Sequence, residues 1–222
     1  FSVESRGNGI RIVDLGDRTH RVDFTRTRDT GGGRERPPSW AVGVFEGKNF
    51  DPERWRPQYA NPSFEKIDEQ DAFWASKKIM AFSDEFIDTM VAEARYSDPM
   101  AARYIAQTLK QRRDKFAMIW FKRVTPLDEF SLQMTAAGKY RIEFEDLAVK
   151  YAVSGGHDYR VEWPGEPTVQ GADHRKSIEL NEMPAPGFHT MKIQSKGLGR
   201  GLDLHLYCTE DGACHIAGLD RR

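Results

Sequence analysis

The chain has 222 residues, 39% apolar and 30% charged, with a formal net charge of −1. That length holds one large or two small domains, and the composition is that of a globular protein rather than a disordered one. The charge balance argues against a nucleic-acid binder that works through a broad basic face. No window approaches the roughly 18 consecutive apolar residues of a membrane-spanning helix.

The sequence opens at Phe1 rather than methionine. We expect a segment upstream of it, and a cleaved signal peptide, a processed precursor and an N-terminal domain all fit. The first patterned stretch is "IRIVDLGD", Ile10–Asp17. A strand that delivers Asp14 into a glycine turn has the form of the metal-binding Asp-Phe-Gly element of phosphoryl-transfer enzymes, so Asp14 is the candidate metal ligand. The other parts of such a site are a glycine-rich loop, a strand lysine and a catalytic-loop aspartate. All of them precede that element in kinases, and only nine residues precede Ile10 here. This chain alone is not expected to be a complete kinase. The plain reading is that Val13 and Leu15 pack while Gly16 turns the chain.

"DTGGGRERPP" is a flexible break, stiffened at its end by Pro37 and Pro38. "SWAVGVFEGKNFDPERWRPQYANPSFEKI" follows, with neither a helical nor a strand period. It carries too many aromatic residues for a solvated linker. We read it as an extended arm that docks ring by ring onto another surface, in this chain or in a partner. Trp40, Phe45, Trp55, Tyr59 and Phe64 are its candidate partner-binding residues.

From about residue 68 to 123 the pattern is helical. Phe73, Trp74 and Ile79 to Phe82 mark a first helix. Ser83 reads as the N-cap of a second, with Asp84 and Glu85 in its first turn and Phe82 and Ile87 spaced as a hydrophobic staple. Phe86, Ile87, Met90, Val91 and Ala94 give that helix an apolar face. Asp98 then caps a third, with Pro99 at its first position. Lys110, Arg112, Arg113 and Lys115 form a basic face, which either solvates this helix or binds a partner.

From Pro126 onward the period is two. "KYRIEFEDLAVKYAV" alternates Tyr140, Ile142 and Phe144 against charged residues, and "HDYRVEWPG", "RKSIELNEMPAPG", "FHTMKIQSKG" and "LDLHLYC…CHIAGLD" follow, bounded by turn residues. About seven short strands predict an antiparallel β-sandwich of immunoglobulin or fibronectin type, with a barrel as the alternative. The fold class is therefore α+β. Its blocks are an N-terminal strand and arm over 1–66, a helical unit of two to three helices over 67–124, and a β-domain over 125–222.

Cys208 and Cys214 flank a turn-rich segment. If the strands pair so that Cys208 faces Cys214, then Leu206 faces Ile216, and His215 lies opposite Tyr207 with His205 diagonal to it. Facing cysteines are close enough for a disulfide, which would imply an extracytoplasmic home. Two small buried thiols are the other reading. A metal site at His205 and His215 would need further ligands that the sequence does not supply. "GLGRG", Gly197–Gly201, opens no helix and reads as a hairpin loop rather than a phosphate loop. No nucleophile elbow or zinc motif is present, and no catalytic residue or cofactor is assigned. The carboxylates Asp128, Glu129, Glu143, Glu145 and Asp146 show no spacing that marks an acid–base pair.

Three stretches carry a resemblance: Trp55–Phe64, "DAFWASKKIMAFSD" (Asp71–Asp84) and Arg112–Asp114. With "PLDEF" and "FEDLAVKYA", they resemble the C-terminal part of large bacterial secreted proteins akin to atypical kinases of the HipA and CotH type. The resemblance implies that Asp14 corresponds to a metal-binding aspartate and that a β-domain closes the chain. The absent upstream lobe departs from that pattern.

The leading expectation is a non-catalytic, extracytoplasmic interaction protein or subunit that docks to partner chains, with no nucleic acid and no transmembrane segment. One alternative is the C-terminal portion of an atypical kinase-like protein whose nucleotide lobe lies outside this chain. The other is a carbohydrate-binding β-sandwich that stacks sugars on Trp163 or Tyr159.

Overall fold

A computed structural model of the chain describes residues 2–6, 9–13, 42, 45–55, 66–155, 158–181, 184–196 and 200–221, the first two segments by their backbone alone. The chain divides into two compact units. One comprises Phe1–Asp51 and Ile87–Gln111, the other Pro52–Phe86 and Arg112–Arg222.

In the first unit, β1 (Ser2–Arg6) and β2 (Gly9–Val13) pair antiparallel, from Ser2 opposite Val13 to Arg6 opposite Gly9. The strand expected over Ile10–Val13 is therefore present, while Asp14 lies outside the described residues. The small core of this unit is helical. Ile87 and Val91 pack with Ala106, and Ala102, Ile105 and Leu109 lie against them. Gly47 of the arm is buried beside Gln111, so close that a Cβ on Gly47 would lie 2.1 Å from Gln111 Oε1.

Three long helices are present among the described residues. Helix α1 (Glu69–Met80) begins at Asp68, which accepts from the Asp71 backbone N–H at 2.8 Å while Asp71 reaches back to the Asp68 N–H at 3.4 Å. This reciprocal cap has aspartate where glutamate is the commoner third residue. Helix α2 (Asp84–Glu93) starts as expected at Ser83, whose hydroxyl accepts from the Phe86 N–H at 3.1 Å. Its buried face is narrower than the sequence predicts. Ile87 and Val91 are buried, while Phe86 and Met90 are exposed, and the Phe82 ring meets Phe86 at 5.3 Å, one position before the staple residue Ile87. Helix α3 (Pro99–Arg123) has Asp98 accepting from the Met100 N–H at 2.8 Å. Two residues of its basic face are tied to neighbouring groups. Lys110 binds Asp88 at 2.8 Å, and Arg113 binds Asp84 and the Phe82 carbonyl, each at 2.7 Å.

Among the described residues of the C-terminal part, eight strands form two antiparallel sheets of four. The first sheet, in spatial order, is β3 (Leu127–Met134), β4 (Tyr140–Asp146), β7 (Arg175–Leu180) and β6 (Val169–Gln170). The second is β10 (Cys214–Arg221), β9 (Gly201–Cys208), β8 (Gly187–Ser195) and β5 (Tyr159–Glu162). The class is α+β, as the change of period predicts.

Alternation places Tyr140, Ile142 and Phe144 inward. They share one core with Ile178 and Leu180 of the first sheet and with Met191, Ile193, Leu202, Leu204 and Leu206 of the second. The alternation does not run through "LAVK" as the sequence suggests. Asp146 ends β4 and caps a single helical turn, α4 (Leu147–Lys150), by accepting from the N–H groups of Ala148 and Val149 at 3.0 and 3.2 Å. Leu147 and Ala148 then join Phe73, Met80, Ala117 and Phe121 in a second core cluster.

Cys214 faces Cys208 and Ile216 faces Leu206, and the two cysteines are joined in a disulfide. A β-bulge between Ile216 and Gly218 then shifts the register, so that His205 stands opposite Gly218. No helix among the described residues is long and apolar enough to cross a membrane.

Candidate ligand-binding face

Along β8 the residues alternate strictly. Met191, Ile193 and Ser195 are buried, and Phe188, Thr190, Lys192 and Gln194 are exposed. The cross-strand pairs share a side of the sheet, so β9 and β10 carry this side onward through His205 and Tyr207 and through His215 and Asp220, with Asp203 in line but buried. Four rows result.

The first row is aromatic. Phe188 stands opposite Tyr207, and Tyr207 opposite His215, on three adjacent strands. The ring centroids are 4.7 Å apart for Phe188 and Tyr207 and 5.3 Å for Tyr207 and His215. Phe188 is 77% exposed, the largest exposure among the big apolar side chains described. An exposed aromatic row costs hydration free energy, and such rows mark contact sites more often than isolated exposed side chains do.

The second row is a hydrogen-bonded chain. His205 Nδ1 lies 3.0 Å from Thr190 Oγ1, and Nε2 lies 3.0 Å from Asp220 Oδ2. With a neutral imidazole, Nε2–H donates to the carboxylate and Nδ1 accepts from the hydroxyl, an assignment that follows from the partners. Hydroxyl, imidazole and carboxylate in series are the parts of a nucleophilic triad. Here, however, Asp220 is 70% exposed, and a chain open to water lacks the low dielectric that makes electrostatic stabilisation of a transition state strong. What the row does provide is a set of polar atoms held in place.

The third and fourth rows border a cleft of about 300 Å³, lined by Lys192, Gln194, Ser195, Arg200, Gly201, Leu202 and Asp203. Arg200 is held by Glu69 at 2.7 Å. The buried hydroxyl of Ser195 has no hydrogen-bond partner among the described residues.

Of the residues marked from sequence, Asp14, Trp40, Tyr59 and Phe64 lie outside the described residues. Phe45 is half-buried and Trp55 is 46% exposed. Tyr159 is half-buried and donates its hydroxyl to Asp146 at 2.5 Å. Trp163 packs on the sheet core, edge-on to His189 at 6.0 Å. No group of histidine, cysteine and carboxylate residues that would hold a metal ion occurs among the described residues.

The aromatic row was not singled out by sequence, yet its signal is there. In "GFHTMKIQS" the period that buries Met191 and Ile193 must turn Phe188 outward.

Comparison of the chain with family models, with curated proteins and with solved structures finds no match.

Proposed function

We propose that this chain is a non-catalytic, extracytoplasmic interaction protein that takes its ligand on the outer face of the β10–β9–β8–β5 sheet. The Phe188–Tyr207–His215 row, exposed at Phe188 and His215, carries the reading. Two four-stranded antiparallel sheets with a shared core support an immunoglobulin- or fibronectin-type sandwich as the scaffold. The disulfide is in keeping with an oxidising compartment.

The test compares fluorescently labelled wild type and Phe188→Ala for saturable binding to the surface of the producing cells, with thermal unfolding as the folding control. Loss of at least about tenfold in affinity at unchanged melting temperature supports the reading. Equal binding by the two proteins refutes it.

A further inference from the structure

The order of chemical groups along β8 and β9 narrows the ligand. The rows 188/207, 190/205, 192/203 and 194/201 follow one another two residues apart. They make a track of roughly 20 Å at the rise of an antiparallel strand. It runs from aromatic rings, through a fixed hydroxyl–imidazole–carboxylate row, to the polar cleft beside Lys192 and Arg200. We propose that this track binds an extended oligosaccharide of neutral or weakly anionic character. The inference rests on the reading of this face as the binding surface and adds the class of ligand.

A sugar ring is amphipathic. One face presents C–H groups, which stack on an aromatic ring, and its rim presents hydroxyls, which both donate and accept. The first row offers rings of the right kind, one ring wide, with Phe188 open to solvent. The second offers an exposed carboxylate in Asp220, whose orientation is fixed through His205 and Thr190, so little side-chain entropy is lost on binding. The cleft supplies the exposed Lys192 and Gln194, a donor and an amide that both donates and accepts.

Other ligand classes fit less well. A protein partner at a standard interface covers about 800 Å² around a continuous apolar centre, whereas this face turns polar one row away from the rings. Nucleic acid is disfavoured by the exposed Asp220 on the track and by a net charge of −1. A lipid surface needs a broader apolar area than one row.

The test is affinity electrophoresis of the full chain through gels containing soluble polysaccharides: mixed-linkage β-glucan, amylose, xylan, galactomannan, glycol chitin and polygalacturonate. At least one is expected to retard the wild type. Phe188→Ala should weaken that retardation at least about tenfold without a change in melting temperature. Lys192→Ala should weaken it less, and most for the anionic polymer.

Failure of the whole panel, or equal retardation of Phe188→Ala and wild type, overturns the inference. The cell-binding assay separates this failure from failure of the broader reading. Phe188-dependent binding that survives periodate oxidation of the cells but not protease treatment leaves the face a binding surface and removes the glycan. Binding indifferent to Phe188 removes both.

Discussion

Tyr159 and Asp146 are joined by a 2.5 Å hydrogen bond from phenol to carboxylate, and this bond ties the second β-sheet to the first. Asp146 is fully buried and accepts from three donors: the backbone N–H groups of Ala148 and Val149 and the Tyr159 hydroxyl. It ends a strand, starts a helical turn and anchors a strand of the opposite sheet.

Burial, reinforced by the Asp146 carboxylate, holds the Tyr159 phenol far above its ordinary pKa. In the unfolded chain a tyrosine titrates near pH 10. Above that pH the folded protein therefore retains a proton that the unfolded chain has lost. The stabilisation is complete below about pH 10 and is lost as pH rises toward the folded-state value. Tyr159→Phe should cost about 1–3 kcal/mol at neutral pH. It should also flatten the alkaline fall in stability by up to about 1.4 kcal/mol per pH unit. Lys77 shifts upward as well, since its bonds to Asp128 and Glu129 outweigh the burial that lowers it, so the readout is the difference between wild type and variant in urea titrations on either side of pH 10.

Asp128 binds Arg221 at 3.1 Å and also binds Lys77, while the Arg221 guanidinium lies 4.5 Å from the centre of the Phe73 ring. Burial lowers the pKa of Arg221, and Asp128 offsets part of that. Asp128→Ala leaves Arg221 buried without its carboxylate and should cost about 3–5 kcal/mol. Arg221→Met keeps the packing on Phe73, and Asp128 keeps Lys77, so its cost should be smaller. Urea unfolding of the two variants gives the comparison, and equal losses would show that the ion pair is not what matters.

Gly47 is required by proximity to Gln111. An added Cβ would lie 2.1 Å from Gln111 Oε1 and 2.8 Å from Gln111 Cβ. Gly47→Ala should destabilise the first unit by about 1–3 kcal/mol. Adding Gln111→Ala removes the clash with Oε1 but leaves the one with Cβ, so only part of the loss should return. Hydrogen exchange of the backbone amides over residues 87–111 reads this locally.

The disulfide closes a hairpin between residues six positions apart. A loop this short is worth about 2 kcal/mol through the lost freedom of the unfolded chain. Cys208→Ala/Cys214→Ala should lower stability by about that amount in urea. A thiol reductant should lower wild-type stability similarly and leave the variant unaffected.

Where local chemistry decides, the sequence was legible. Ser83 and Asp98 cap their helices, Tyr140, Ile142 and Phe144 point inward, and Cys208 meets Cys214, because caps, period-two burial and strand pairing act within a few residues. Asp146 was passed over because its role depends on Tyr159, thirteen residues away and in the other sheet. The bulge after Ile216 inserts a residue, so the side of β10 that carries His215 carries Asp220 five positions on, a change of parity that a period-two reading does not anticipate. The aromatic row was missed for a different reason. Phe188, Tyr207 and His215 belong to three strands, and only the register of the sheet brings them together.

The central claim is that ligand seats on this face. It is tested most directly by placing the photocrosslinking residue p-benzoylphenylalanine at position 188, with position 74 as control. Trp74 is 61% exposed and belongs to helix α1, not to the β10–β9–β8–β5 sheet. Its probe reacts with C–H bonds of protein and sugar alike. After irradiation on the producing cells, position 188 should yield a discrete adduct that unlabelled wild type competes away, and position 74 should not. Adducts at 74 but not at 188, or none at 188 under saturating binding, would contradict the account.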